Sequence, residues 1–180
     1  MYALLVFAAA YAYLAHLQTG RGTAAVPLLF ALAALTRPDG ALFFAVTLVH
    51  ATLVGARSDP RGWMKKMLLW GGLFSVVWLA YFVARFHYYG YLLPNTFYVK
   101  VGAGADQFVR GVRYLASYAR TYGAFVFLPM LFPLLFRRRE RWRDYFWMLT
   151  AGFGGYVAYV GGDGLGFHRF VSLIAPVLYL

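Results

Sequence analysis

Apolar residues along this chain gather in long runs. The runs are Tyr2–Leu17, Ala24–Leu35, Ala41–Ala56, Met67–Ala84, Tyr122–Phe136, Tyr145–Val160 and Phe170–Leu180. None alternates with a period of two, as the strands of an outer-membrane barrel do. A helix crosses about 30 Å of hydrocarbon with roughly 20 residues. The runs therefore predict an all-α fold, a polytopic transmembrane bundle of about 6–7 helices. Several runs are short, and the second carries Pro27 near its start. Short or interrupted helices are tolerated where protein buries them. Residues 1–180 read as a single transmembrane domain, with an outer loop over 85–121 that holds an amphipathic helix.

Both ends read as cut. The last run has 11 residues and contains Pro176. As a helix it would reach roughly 16 Å, about half a bilayer. The first run begins at Met1 without the basic leader or small-residue cleavage site of a signal peptide. The expectation is an internal fragment of a longer protein. The alternative is a small complete membrane protein with a re-entrant last segment.

Composition supports the membrane reading. The chain is 62% hydrophobic and 13% charged, against about 45–50% and about 25% in soluble domains. Disorder, coiled coil and an ordinary soluble globule are excluded. There are no cysteines, which removes thiolate chemistry and disulfides. The net charge of +11 would suggest nucleic acid on a soluble protein. Here the basic residues cluster between apolar runs, so membrane lipids are the expected partner and nucleic acid is not.

Charge also sets an orientation. Arg57, Arg61, Lys65 and Lys66 fill one short connection, and Arg137, Arg138, Arg139, Arg141 and Arg143 fill another. The positive-inside rule puts both in the cytoplasm. Two spans separate them, so the placements agree. Thr19–Thr23 then lies inside, and Thr36–Gly40, Arg85–Thr121 and Gly161–Arg169 face outward. The totals are ten Lys and Arg inside against seven outside.

The outward loops hold the candidate chemistry. In Thr36-Arg37-Pro38-Asp39-Gly40, Pro38 suits the first turn of a helix. Two readings stay open: a tight turn with a snorkelling Arg37, or an Arg37 that binds an anionic oxygen while Asp39 binds a hydroxyl or orients the arginine. The second loop contains His87, Tyr88, Tyr89, Tyr91, Asn95, Tyr98 and Lys100. Its tyrosines could form an interfacial belt. They could equally stack on a sugar while Asn95, His87 and Lys100 bind hydroxyls or phosphate.

From Asp106 to Tyr122 the pattern predicts an amphipathic helix. Phe108, Val112, Leu115 and Ala119 follow helical spacing, and Arg110, Arg113 and Arg120 line another face. It fits a helix in the headgroup plane, or a solvated basic face. The third loop, Gly161 to Phe170, carries four glycines with Asp163, His168 and Arg169. Asp163 reads either as a turn-forming residue or, with His168 and Arg169, as part of a polar site at the bundle mouth. His16 and His50 stand alone in apolar runs and read as packing histidines. No cluster has metal-ligand spacing, so no metal is expected.

Three segments in order carry a resemblance: Thr36 to Gly40, Tyr89-Gly90-Tyr91-Leu92-Leu93-Pro94-Asn95-Thr96-Phe97-Tyr98-Val99-Lys100, and Gly161-Gly162-Asp163 followed by His168-Arg169-Phe170 and Pro176. Together they resemble polytopic glycosyltransferases of the GT-C superfamily, in particular the bacterial terminal arabinofuranosyltransferases of mycobacterial cell-wall synthesis and their relatives. The resemblance covers roughly Leu35 to Leu180. It implies inverting sugar transfer on the outer face of a bacterial plasma membrane by a multi-pass enzyme. The implied donor is a polyprenyl-phosphate-linked sugar, and the acceptor a glycan, lipid or protein. No cofactor and no nucleotide sugar are implied.

One departure matters. The family's acidic motif in the first outer loop, where the catalytic base belongs, has no counterpart here, so the base is expected upstream of Met1. The fragment alone is expected to be inactive. The residues expected to line the substrate site are Arg37, Asp39, His87, Tyr89, Asn95, Lys100, Asp163, His168 and Arg169, with no role assigned to each. The alternatives are a non-catalytic membrane scaffold and a transporter-like carrier.

Overall fold

The computed structural model describes residues 1–56, 60–91, 104–135, 141–162, 168 and 171, with backbone alone over 124–135. Asn95, Lys100, Asp163 and Arg169 lie outside the described residues, as does nearly all of the last apolar run. Among the described residues the chain is all-helical, with six helices and no strand. They are α1 Tyr2–Thr19, α2 Ala25–Thr36, α3 Gly40–Gly55, α4 Pro60–Tyr89, α5 Gly104–Leu135 and α6 Arg141–Val160. Two of them, α1 and α4, are long and apolar enough to cross a membrane.

The apolar runs locate the helices but not always their ends. α4 has 30 residues, about 45 Å of helix, and overruns its apolar stretch on both sides. The added turns contain Arg61, Lys65, Lys66 and Arg85. Lys and Arg are good helix formers, so backbone hydrogen bonding continues where hydrocarbon-like composition stops. His87 and Tyr89, read as loop residues, are therefore in the last turn of a helix.

Residues 1–92 and 93–180 form two compact units. In the first, α2 packs against α1, α3 and α4. Its buried side is Val26, Pro27, Phe30, Ala31, Ala33 and Ala34. Small residues let helices approach closely in an apolar setting, where packing rather than water exclusion holds them together. Aromatic rings fill the remaining space. Phe44 stacks on Phe74 at 4.3 Å between centroids, and Phe30 leans on Phe44 at 5.9 Å.

Buried polar groups in this unit are tied across helices. The Tyr13 hydroxyl is 2.6 Å from His50 Nδ1. The Trp70 indole N–H donates to Thr23 Oγ1 at 2.7 Å. His16 Nδ1 lies 3.0 Å from the Arg21 carbonyl, which can only accept, so that nitrogen donates. Both histidines are thus packing groups with partners, as read. Tyr13→Phe is expected to cost about 1 kcal/mol, measured by reversible unfolding in mixed detergent. An unchanged unfolding midpoint would mean that the bond contributes nothing net.

The outer surface of α4 shows the opposite character. Trp70 is its buried residue, while Leu68, Val76, Leu79 and Val83 are exposed. A long helix with so little apolar surface inside the fold suits an apolar surrounding.

In the second unit α5 packs on α6. α6 buries Tyr145, Leu149, Phe153 and Val157, one per turn. Helical geometry in α5 breaks at Tyr122 (φ −114°, ψ 15°), where the predicted amphipathic segment ends. Its first half is held by close backbone approach. A Cβ on Gly111 would collide with the Ala158 carbonyl.

Candidate functional site

The turn between α2 and α3 is built by its own residues. Arg37 is extended (φ −150°, ψ 133°), as a residue before proline prefers, and this stops α2. Pro38 begins the turn into α3, where Gly40, Ala41 and Leu42 donate to the carbonyls of Arg37, Pro38 and Asp39. Gly40 sits so close to the end of α2 that a Cβ would lie 2.5 Å from the Ala34 nitrogen. The two helix ends are therefore pressed together.

That closeness fixes the ion pair. Arg37 Nε donates to Asp39 Oδ1 at 3.1 Å and Nη2 to Oδ2 at 2.9 Å. The Asp39 side chain is 2% exposed and that of Arg37 is 41% exposed. The guanidinium also lies over the Tyr2 ring, 4.9 Å from its centroid, a cation–π contact from the start of α1. Arg37 follows the C-terminus of α2 and Asp39 precedes α3, so each charge also suits the helix dipole beside it. Of the two roles read for Asp39, the geometry shows the second: it orients the arginine. The result is a fork of donors in fixed orientation, with two of its N–H groups committed to the carboxylate and part of its surface open.

The other described candidates differ. His87 and Tyr89 are exposed on the last turn of α4, with the Tyr89 ring against Tyr88. Among the described site residues, Arg37 and Asp39 are the pair joined by hydrogen bonds.

In the second unit, His168 sits in a tyrosine cluster that the sequence pattern did not single out. Its ring lies 5.1, 5.5 and 5.9 Å from those of Tyr114, Tyr118 and Tyr122. Its Nε2 is 3.3 Å from Ser117 Oγ. The signal was present, since tyrosines spaced by four fall on one helical stripe. His168 has a positive φ of 49°, a region in which histidine is over-represented among non-glycine residues. Gly161 and Gly162 also have positive φ. A Cβ on Gly162 would lie 2.6 Å from Tyr114 Cγ, so the absent side chain lets the chain pass over that ring. The arrangement offers an aromatic surface with an imidazole and a hydroxyl at its edge, suited to a polar ring-shaped ligand.

A cleft in the first unit lies elsewhere. It has a volume of about 310 Å³ and is lined by Tyr13, His16, Trp63, Lys66 and Trp70 among others. It lies toward the α1–α2 and α3–α4 connections, at the opposite end of these helices from Arg37. Among the described residues, no group of three or more His, Cys, Asp or Glu side chains could hold a metal ion.

Comparison with known proteins gives a partial match. Over 102 residues, 56% of this chain, the sequence is 35% identical to the terminal β-(1→2)-arabinofuranosyltransferase of Mycobacterium tuberculosis. The matched stretch covers 15% of the mycobacterial protein, so this chain spans a small part of that enzyme's length. No family model matches the chain, and no solved structure matches it. Over a little more than half of its length, the chain is similar to a glycosyltransferase.

Proposed function

We propose that this chain is part of a multi-pass membrane glycosyltransferase of the GT-C type. It would transfer a sugar from a polyprenyl-phosphate donor to a cell-envelope glycan, lipid or protein on the outer face of a bacterial plasma membrane. The observation that carries the proposal is the 35% identity to an arabinofuranosyltransferase. The arginine fork on a buried carboxylate fits it.

The chemistry required of this region is electrostatic. As the sugar leaves a polyprenyl phosphate, the phosphate gains negative charge. A pre-oriented guanidinium lowers the barrier by stabilising that charge where it develops, and its planar fork matches phosphate oxygens. Asp39 supplies the orientation. His87, Tyr89, Asn95, Lys100, Asp163, His168 and Arg169 are proposed as further substrate-binding residues, with no role assigned to each. No catalytic base is assigned within this chain. The acceptor hydroxyl needs one within hydrogen-bond reach.

Two experiments test the proposal. Membranes containing the full-length protein should move labelled sugar from a polyprenyl-phosphate donor to envelope acceptors, arabinofuranose being the first donor to try. Absence of transfer from a full panel of such donors would overturn it. The topology is tested separately, because the chain has no native cysteine. Cysteines placed singly at Arg57 and Gly104 should react with an impermeant maleimide from opposite sides of sealed vesicles. Labelling from the same side would end the proposed orientation.

A further inference from the structure

The first half of α5, from Gly104 to the break at Tyr122, has three separate faces. One is packed: Gln107 and Gly111 are buried, and Tyr114 and Tyr118 meet His168. Gln107 Nε2 donates to the Tyr159 carbonyl at 3.0 Å. At about 100° per residue, these four residues share one stripe. The apolar stripe lies beside it. Phe108 is 54% exposed, Val109 43% and Val112 44%. Beyond that stripe comes a polar face with Arg113 and Arg120, both exposed, together with Asp106 and Ser117. The fold therefore uses Gln, Gly and Tyr for packing, half-buries Leu115 and Ala119, and leaves the first part of the apolar stripe exposed.

Two further features bear on what covers it. Among the described residues, this half of α5 meets Ala158, Tyr159, Gly161, Gly162 and His168. It thus rides over the C-terminal end of α6 and the segment beyond. After the break at Tyr122 the helix continues through Gly123–Leu135, a stretch with no charged residue. An amphipathic segment that passes through a kink into an uncharged one is the form of a chain that lies on a bilayer and then enters it.

We propose that Gly104–Thr121 lies in the headgroup plane of a bilayer containing anionic phospholipid. Phe108, Val109 and Val112 enter the acyl boundary, while Arg113 and Arg120 reach lipid phosphates. A bilayer supplies hydrocarbon and negative charge a few ångströms apart, in the order in which this helix presents its two outer faces. The arginines complement anionic headgroups at roughly fivefold in affinity each. This inference rests on the membrane reading above.

The test is spin-label accessibility in the full chain reconstituted into bilayers of phosphatidylcholine with phosphatidylglycerol. Single cysteines at Phe108, Val112, Arg113 and Arg120 carry the label, with Val76, Leu79 and Val83 on α4 as controls. At Phe108 and Val112 the ratio of oxygen to nickel-complex accessibility should exceed that at Arg113 and Arg120 several-fold. With the label at Val112, Arg113→Gln combined with Arg120→Gln should lower that ratio. Arg113→Lys with Arg120→Lys should restore it. Protection of Phe108 and Val112 from both reagents would mean that protein covers the stripe, and equal aqueous access all round would mean that nothing does. Either overturns the inference while the α4 controls still report hydrocarbon. Aqueous α4 controls would instead overturn the membrane reading itself.

Discussion

Under the proposed function, Arg37→Ala is expected to slow sugar transfer by the full-length protein roughly 100-fold, the usual scale for losing one group that stabilises charge in the transition state. The side chain is 41% exposed, so little packing is lost directly. The difficulty lies with its partner. The Asp39 carboxylate is buried and takes its side-chain hydrogen bonds from Arg37. Removing one member of a buried pair costs about 3–5 kcal/mol, because the other charge stays behind uncompensated. A loss of activity in the single variant could therefore come from a loosened α2–α3 turn.

The double variant, Arg37→Ala with Asp39→Asn, separates the two causes. It removes both charges and keeps a side chain of nearly the same shape at position 39. Its unfolding midpoint should return most of the way to wild type while transfer stays low. Arg37→Lys should fall between, since it keeps the charge and loses the fork. Wild-type turnover in the folded double variant would remove Arg37 from the site. Arg37 and Asp39 would then be a structural clasp between two helix ends.

Gly40→Ala and Gly111→Ala are each expected to destabilise the protein by about 1–3 kcal/mol, the range for overpacking a tight contact. At Gly40 the added Cβ would meet Ala33 and Ala34 backbone atoms at 2.5–2.7 Å. At Gly111 it would meet the backbone of Ala158. Backbone cannot swing aside as the tip of a side chain can, so the helices must separate. Gly71→Ala and Gly154→Ala are the controls. Both positions are helical with nothing near the new Cβ, and alanine there should be neutral or stabilising by up to about 1 kcal/mol. Unfolding in mixed detergent reads all four. Equal midpoints for Gly40→Ala and Gly71→Ala would show that the α2–α3 turn is looser than its geometry implies.

Much of the helical layout could be read from the chain. Each of the first six apolar runs falls on a helix or half-helix, because a run of apolar residues in a polar chain signals burial or lipid whatever surrounds it. The break at Tyr122 coincides with the change from amphipathic to uncharged sequence. The ends were less legible. α4 continues through Pro60–Tyr89 because its flanking Lys and Arg residues form helix about as readily as leucine does. Composition reports the surroundings of a helix better than its length.

The candidate site divides in the same way. Spacing brought Arg37 and Asp39 near one another, since two residues on either side of a proline cannot be far apart. It could not say whether the carboxylate would take a ligand hydroxyl or hold the arginine. That depended on Gly40 pressing α3 against α2, which buries the carboxylate. Tyr13 with His50, and His168 with its three tyrosines, are joined across 37 to more than 45 residues, which no local pattern encodes. In α5 the sequence showed an amphipathic helix with an apolar stripe, but not that the adjacent Gln107, Gly111, Tyr114 and Tyr118 stripe would make the packed face. The pattern of apolar and charged residues by itself determined where the described helices lie, though not their ends, and where the charges collect. Tertiary contact decided which face of each helix is covered, because close backbone approach at a glycine and a satisfied hydrogen bond can outweigh the burial of a few apolar side chains.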